Sequence, residues 1–356
     1  MLTCFIGINL HAQVTNTGLA DTTDGEHINN LTIAGYVDVY YGYSLGNLTN
    51  DVPYFVSMSR HNEANVNLAF IDLRYNTNRI RARFMPGVGT YINANYAGEQ
   101  GSLKNIVEAN AGFKLFDKRG IWIDFGVLGS PYTNESAISK DHLIYTRSLA
   151  AEYAPYYLSG LKLTLPISSK ICSYLYLVNG WQQINDANRG KSFGTQVEYR
   201  PSKKILINWN TYFGLDSAYE MNGKSGNRFF SDVYLIYKSG KKIDITSCIY
   251  IGSQKIERSR HYYGYWQQAN VIVAYHLNTK NSLAARVEYF KDKSEVFGPN
   301  LNMVGTGLCY SYKFFNNALL RFDFRQLKNE NNVYTTEQGN STQYNFWMVS
   351  GLTMWF

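Results

Sequence analysis

The sequence predicts an all-β chain, a transmembrane antiparallel up-and-down β-barrel of about sixteen strands with both termini on the periplasmic side. Three observations lead there. From Leu31 onward the chain divides into segments of about ten to thirteen residues bounded by turn-forming residues. The connections between segments alternate short and long, and polar and apolar residues alternate within them.

Composition agrees. Thirty tyrosines and 19 phenylalanines against only 7 prolines favour sheet, because aromatic side chains suit a pleated surface. No run of about 18 apolar residues follows the leader, which excludes a helical membrane span. A barrel escapes that test, since only every second residue of a strand meets lipid. The net charge of +7 is spread over many turns and strands rather than one helix or stripe, and no nucleic-acid recognition motif accompanies it.

The expected strands are 31–44, 65–75, 79–94, 104–116, 120–128, 157–167, 170–181, 190–200, 203–215, 228–238, 242–251, 265–277, 280–291, 303–314, 317–328 and 344–356. Every second junction is short and built of hairpin residues: Asn76-Thr77-Asn78, Asp117-Lys118-Arg119-Gly120, Ser168-Ser169, Pro201-Ser202, Ser239-Gly240-Lys241, Asn278-Thr279 and Phe315-Asn316-Asn317. The junctions between them are long and polar, as in 45–64, 129–156, 216–227 and 329–343. Lipid offers no hydrogen-bond partners, so a sheet crosses a bilayer only by closing on itself. A soluble sandwich has no such reason to sort its loops by length.

Alternation assigns the faces. Arg81 and Arg83 alternate with Ile80, Ala82 and Phe84; Arg321, Asp323 and Arg325 alternate with Leu320, Phe322 and Phe324. Asp72 and Arg74, Asp124, and Arg286 and Glu288 follow the same rule. A charge facing the bilayer midplane costs about 2–4 kcal/mol, so these side chains belong inside. Arg79 shares the alternation of Arg81 and Arg83 at the very start of its strand, and apart from it these residues with Asp38 and Glu108 make twelve candidate pore-lining residues.

Residues 1–12 resemble the end of a secretory signal peptide, an apolar core closing on Ala12, although a basic n-region is missing. Residues 13–30 form a periplasmic segment and 31–356 the barrel. That leader and the barrel place the chain in the bacterial outer membrane. Residues 13–30 are too short for the plug of a TonB-dependent receptor. The last strand, Tyr344 to Phe356, carries apolar residues at alternate positions and stops on an aromatic, the form of signal by which barrel-assembly machinery receives its clients. Tyr40, Tyr41, Tyr43, Tyr262, Tyr263, Tyr265 and Trp266 sit near strand ends, where interfacial girdles belong.

The third long loop, 129–156, is the longest. Within it the run Glu135-Ser136-Ala137-Ile138-Ser139, then Tyr145, Arg147-Ser148 and Pro155-Tyr156-Tyr157 before Gly160, resembles the "putative β-barrel porin" family of Bacteroidota outer membranes. The loop signature covers about thirty residues, and the strand layout extends the resemblance over nearly the whole chain. Where many relatives carry an acidic residue after the paired tyrosines, this chain has Leu158. The resemblance implies a channel for passive diffusion of small hydrophilic solutes or ions, and supplies no binding residues. In sixteen-stranded general porins the third loop folds into the barrel and narrows the pore. Glu135, Asp141 and Arg147 are then the constriction candidates, with Glu135 and Asp141 opposing wall arginines across a transverse field. The basic excess predicts mild anion preference.

Other classes are less well supported. The six histidines include only one, His276, clearly within a strand, and none stands beside a nucleophile pattern. A barrel-embedded hydrolase is therefore the weaker alternative, a structural or adhesive barrel the stronger. Cys172, Cys248 and Cys309 lie in separate strands with no metal or disulfide spacing. No catalytic residue, cofactor or metal is expected. The expected partners are outer-membrane lipid, small solutes, the assembly machinery and further copies of the chain, with no nucleic acid.

Overall fold

The structure is a computed structural model that describes residues 26–45, 52–117, 119–186, 190–216, 226–255, 263–298 and 300–356. The expected leader and most of the segment 13–30 lie outside the described residues.

Sixteen strands make the barrel: β1 (Leu31–Ser44), β2 (Glu63–Asn76), β3 (Ile80–Val88), β4 (Ile106–Phe116), β5 (Ile121–Gly129), β6 (Tyr157–Pro166), β7 (Ile171–Val178), β8 (Ser192–Ser202), β9 (Ile205–Asp216), β10 (Gly226–Lys238), β11 (Ile243–Lys255), β12 (Tyr263–His276), β13 (Asn281–Asp292), β14 (Leu301–Phe315), β15 (Ala318–Asn329) and β16 (Tyr344–Trp355). Each pairs antiparallel with its neighbours in sequence, and β16 pairs with β1. That pairing leaves no open edge, the condition for a sheet in hydrocarbon. A short strand, Glu26–Ile28, pairs with the start of β1. The short turns share one rim with both ends of the sheet, and the long loops share the other.

Alternation is clearest in β12, where burial switches at every residue from Tyr263 to Tyr275. The outward residues, among them Phe125, Ile249, Val287, Leu308 and Phe322, are exposed apolar side chains, as a lipid-facing surface requires.

The expected strand 79–94 is corrected. β3 stops at Val88, and Thr90–Asn95 form a short helix, α1. Gly89 turns the chain at φ 133°, and its carbonyl accepts from Asn93 N at 3.1 Å. A helical turn buries the adjacent Tyr91 and Ile92 together, which a strand would have sent to opposite faces.

The seam is completed by Phe356. Its backbone exchanges two hydrogen bonds with Gly35, both 3.1 Å, and its ring lies over Gly35, where an added β-carbon would come within 2.1 Å of it. Gly35→Val is expected to displace the ring and destabilise the closed barrel by about 1–3 kcal/mol. Heat-modifiable migration on gels would show a smaller folded fraction, while an unchanged fraction would show that the ring contributes nothing to closure.

Candidate functional site

The third long loop runs from Ser130 to Tyr156 and is held against inward-facing residues from β9 round to β1. Asn208 and Asn210 on β9 donate to Pro131 O at 3.4 and 3.0 Å. Asp232 on β10 accepts from Thr133 N at 2.6 Å. Asn134 reaches Thr246 on β11 and Asn270 on β12 at 3.0 and 3.1 Å. Ser139 N donates to the Tyr36 hydroxyl on β1 at 3.1 Å.

Six of the twelve wall candidates anchor this loop. Asp38 accepts from the Tyr145 hydroxyl at 2.7 Å. Asp323 takes Thr146 N and Oγ1 at 2.7 and 2.8 Å. Arg286 donates to Thr146 O at 2.5 Å, and Arg325 to Arg147 O at 2.8 Å. Arg321 donates to Ser139 Oγ at 3.1 Å. Glu288 ties the set together, accepting from Leu149 N at 2.6 Å and Arg325 at 2.6 Å, with Arg286 at 3.2 Å. All six side chains are buried. Asp323, Arg286, Arg325 and Glu288 satisfy loop backbone that would otherwise lack partners, and Asp38 and Arg321 hold loop hydroxyls.

The other six line β2 to β5. Asp72 holds Arg74 at 2.6 Å and Arg83 at 2.7 Å; Arg83 also reaches Glu108 at 2.8 Å, and Arg81 forms a forked pair with Asp124 at 2.5 and 2.6 Å. Here the arginines keep contact with solvent, 16% exposed for Arg74 and Arg81 and 24% for Arg83, against 0–2% for Arg286 and Arg325. That contrast separates a wetted wall from a sealed one.

The constriction candidates divide as well. Glu135 is buried and turns back into its own loop, accepting from Ser148 N at 2.8 Å and from the Ser148 hydroxyl. Arg147 is buried between the rings of Tyr91 and Tyr156 and donates to Glu152 at 3.2 Å and the Tyr156 hydroxyl at 2.7 Å. The hydrogen bonds of both side chains are made within the loop and its flanks, and of the wall arginines Arg286 acts on Glu135 through its charge. A charge inside a tight loop is best paired locally, where its partner is already ordered. Asp141 keeps 16% exposure beside Lys140, within the half-buried stretches 136–138 and 140–143 that flank the buried Ser139. Ala137 and Ile138 pack against the apolar cluster that contains Leu68 of β2 and Met85 of β3.

Sequence reading missed Lys162, Trp122, Lys114, Glu198 and Arg200 on the inward face. Lys162 stands 3.6 Å from Asp124, Arg81 and Lys114 lie over the Trp122 ring at 4.4 and 5.1 Å, and Arg200 pairs with Glu198 at 2.6 Å. On β2 to β8 the inward face therefore carries six cations, Arg74, Arg81, Arg83, Lys114, Lys162 and Arg200, against five carboxylates, Asp72, Glu108, Asp124, Glu198 and, at the rim, Glu63, which is paired with Arg60 of the preceding loop.

The loop enters through a bend in the β5–β6 hairpin. Gly126 and Gly160 face each other at φ 132° and 153°, values open to glycine. Below them Phe125 is 68% exposed. Above them both faces are buried: Leu128 and Leu158 join one apolar cluster, Val127 and Tyr157 the other. The second cluster takes in Tyr91, Ile92 and Tyr96 of the preceding long loop, with Tyr96 stacked on Tyr157 at 4.3 Å.

Solved structures share this architecture. OmpT of Vibrio cholerae with loop L8 deleted aligns with a TM-score of 0.61 at 12% identity, over 92% of this chain and 99% of its own. The anion-selective porin from Comamonas acidovorans aligns with 0.60 at 8% identity over 92% and 99%, and Salmonella typhi OmpF, solved with daunomycin, with 0.60 at 12% over 92% and 97%. At these identities the likeness is one of fold. No curated protein matches the sequence. Residues 30–355 match the family described as "putative beta-barrel porin-2, OmpL-like", and the chain, an outer-membrane β-barrel, belongs to that porin family.

Proposed function

We propose that the chain is a narrow outer-membrane channel for passive diffusion of small hydrophilic solutes or ions, with mild anion preference. The observation that carries this reading is the wetted inward strip on β2 to β5, where Arg74, Arg81 and Arg83 keep solvent contact while the opposite wall is sealed under the third loop. In this reading the path runs off-centre, beside that strip and the half-buried loop residues 140–143. Its excess of cations over carboxylates raises the local concentration of anions and lowers that of cations. Asp141 is the loop's charge toward this path, and its pairing with Lys140 keeps the loop side nearly neutral. The assignment to Bacteroidota rests on the loop run Glu135 to Ser139 with Arg147-Ser148 and Pro155-Tyr156-Tyr157. Orientation with both termini in the periplasm follows the usual placing of short turns. Association with further copies is part of this reading, supported by the trimer form of the similarly folded OmpT of Vibrio cholerae, and the closing strand at Phe356 is the segment offered to the assembly machinery.

One observation favours a second reading, a structural or adhesive barrel: two apolar clusters fill much of the interior toward the long loops. Planar-bilayer recording distinguishes them. The channel reading expects unitary conductance steps and a reversal potential in a salt gradient that favours chloride over potassium. The double variant Arg81→Gln, Arg83→Gln is expected to lower the chloride-to-potassium permeability ratio by roughly two- to threefold. A correctly folded barrel with no conductance at all would leave only the structural reading.

A further inference from the structure

The two rims of the barrel differ in charge. At the long-loop rim several of the described surface cations have carboxylate partners, Arg60 with Glu63 at 2.6 Å, Lys293 with Glu330 at 3.3 Å, and Lys191 with Asp186, while Lys328 lies over the Tyr344 ring at 5.4 Å. The short turns are different. Arg79, Arg119 and Lys170 are exposed in the first three, the pairs Lys203–Lys204 and Lys241–Lys242 in the next two, and Lys280 in the sixth. Asp117, 3.5 Å from Arg79 with both side chains well exposed, is the one carboxylate in the sequence of these turns.

Their position relative to the apolar surface decides what they meet. Each cation sits within a few residues of an outward apolar side chain at the end of a strand: Ile80 is 51% exposed, Phe116 60%, Ile167 63%, Ile207 38%, Ile243 43% and Leu277 52%. Where a membrane-spanning sheet ends, such side chains mark the border of the hydrocarbon, and the next residues outward lie at headgroup depth. The cations are spread over six of the seven short turns rather than gathered on one side. A single acidic protein or a patch of cell wall would select one sector of the rim, whereas lipid surrounds it. Exposed lysines near a membrane surface attract anionic lipid, and the attraction falls off within a Debye length.

We propose that the short-turn rim is a basic collar that recruits a shell of anionic phospholipid headgroups from the leaflet it meets. The collar selects phosphatidylglycerol-type lipids over zwitterionic ones by charge and holds the barrel at a set depth, with its apolar girdle in hydrocarbon and its lysines on the phosphates. This holds whichever way the barrel conducts, since no collar residue belongs to the inward strip.

The test is electron spin resonance of the purified full-length barrel in phosphatidylcholine vesicles with spin-labelled phosphatidylglycerol or spin-labelled phosphatidylcholine, comparing how much of each label is immobilised at the protein. The expected result is roughly threefold selectivity for phosphatidylglycerol at low salt that vanishes at high salt. The variant Lys203→Gln, Lys204→Gln, Lys241→Gln, Lys242→Gln, which removes half of the eight exposed collar cations, should lose about half of it while keeping heat-modifiable migration and wild-type conductance. Equal immobilisation of both labels at low salt would overturn the proposal, as would undiminished selectivity in the folded variant. Co-sedimentation with insoluble peptidoglycan is the third arm: binding abolished in the variant, without any lipid selectivity in the wild type, would assign the collar to the cell wall instead.

Discussion

Glu288→Ala is expected to release the third loop from the barrel wall. Glu288 accepts from Leu149 N and faces both Arg286 and Arg325 in a region closed to solvent. Removing it leaves two guanidinium groups buried without their shared anion, a change of about 3–5 kcal/mol. The barrel itself is held by its own ladder of pairings, so the loss falls on the loop, and single-channel conductance should rise severalfold with added noise. Two native thiols report the same event. Cys309 and Cys248 are buried within the cluster that contains Ile144 and Tyr145 of the loop, whereas Cys172 is half-buried against that cluster's edge. Labelling of the first two by a water-soluble maleimide should accelerate in the variant, and by a larger factor than that of the already half-exposed Cys172. Replacing Glu288 and Arg325 together by methionine should recover much of the loss, because a paired charge exchanged for packed apolar volume is often tolerated. Wild-type conductance and labelling in Glu288→Ala would show that the ion network does not hold the loop.

Gly160→Ala carries the second large effect. An added β-carbon would come within 2.2 Å of Leu177 O, and φ 153° is strained for any side chain. The strain alone costs about 1–3 kcal/mol, before the backbone moves to relieve the contact. Because the two faces of the β5–β6 hairpin are buried only above the Gly126–Gly160 pair, straightening here should lift Leu128, Leu158 and Tyr157 out of their clusters together. The expected readout is a loop opened to proteolysis between 130 and 156 with the sheet still intact by circular dichroism. Protease resistance equal to that of the native barrel would mean the bend is not needed to seat the loop.

Much of the wall was legible in the sequence because period-two alternation and turn chemistry are local. β1 begins and ends at the expected Leu31 and Ser44, and most other boundaries fall within a few residues. α1 was not legible, since Tyr91, Ile92 and their neighbours continue an alternating pattern and only the conformation of Gly89 breaks it. The inward direction of the wall charges followed from the cost of facing lipid. The same rule applied to Leu161, Lys162 and Leu163 would have found Lys162. Alternation could not tell which inward charges stay wet, because that depends on where a loop distant in sequence comes to rest. Glu135 and Arg147 show the limit most plainly: both find partners within their own loop, Ser148 and Glu152, and composition alone cannot separate that pairing from one across a pore.

The seam between β16 and β1 also has a kinetic meaning. Every other barrel pairing joins strands consecutive in the chain, so the sheet can grow hairpin by hairpin with little loop-closure entropy at each step. The pairing of Phe356 with Gly35 spans nearly the whole chain. A nascent sheet therefore carries two unsatisfied edges until its final strand arrives, and each is a template for unwanted pairing. The slow, contact-order-limited event is this one registration. A machine that shelters either edge until the last residues are made would accelerate assembly more than any aid to the individual hairpins.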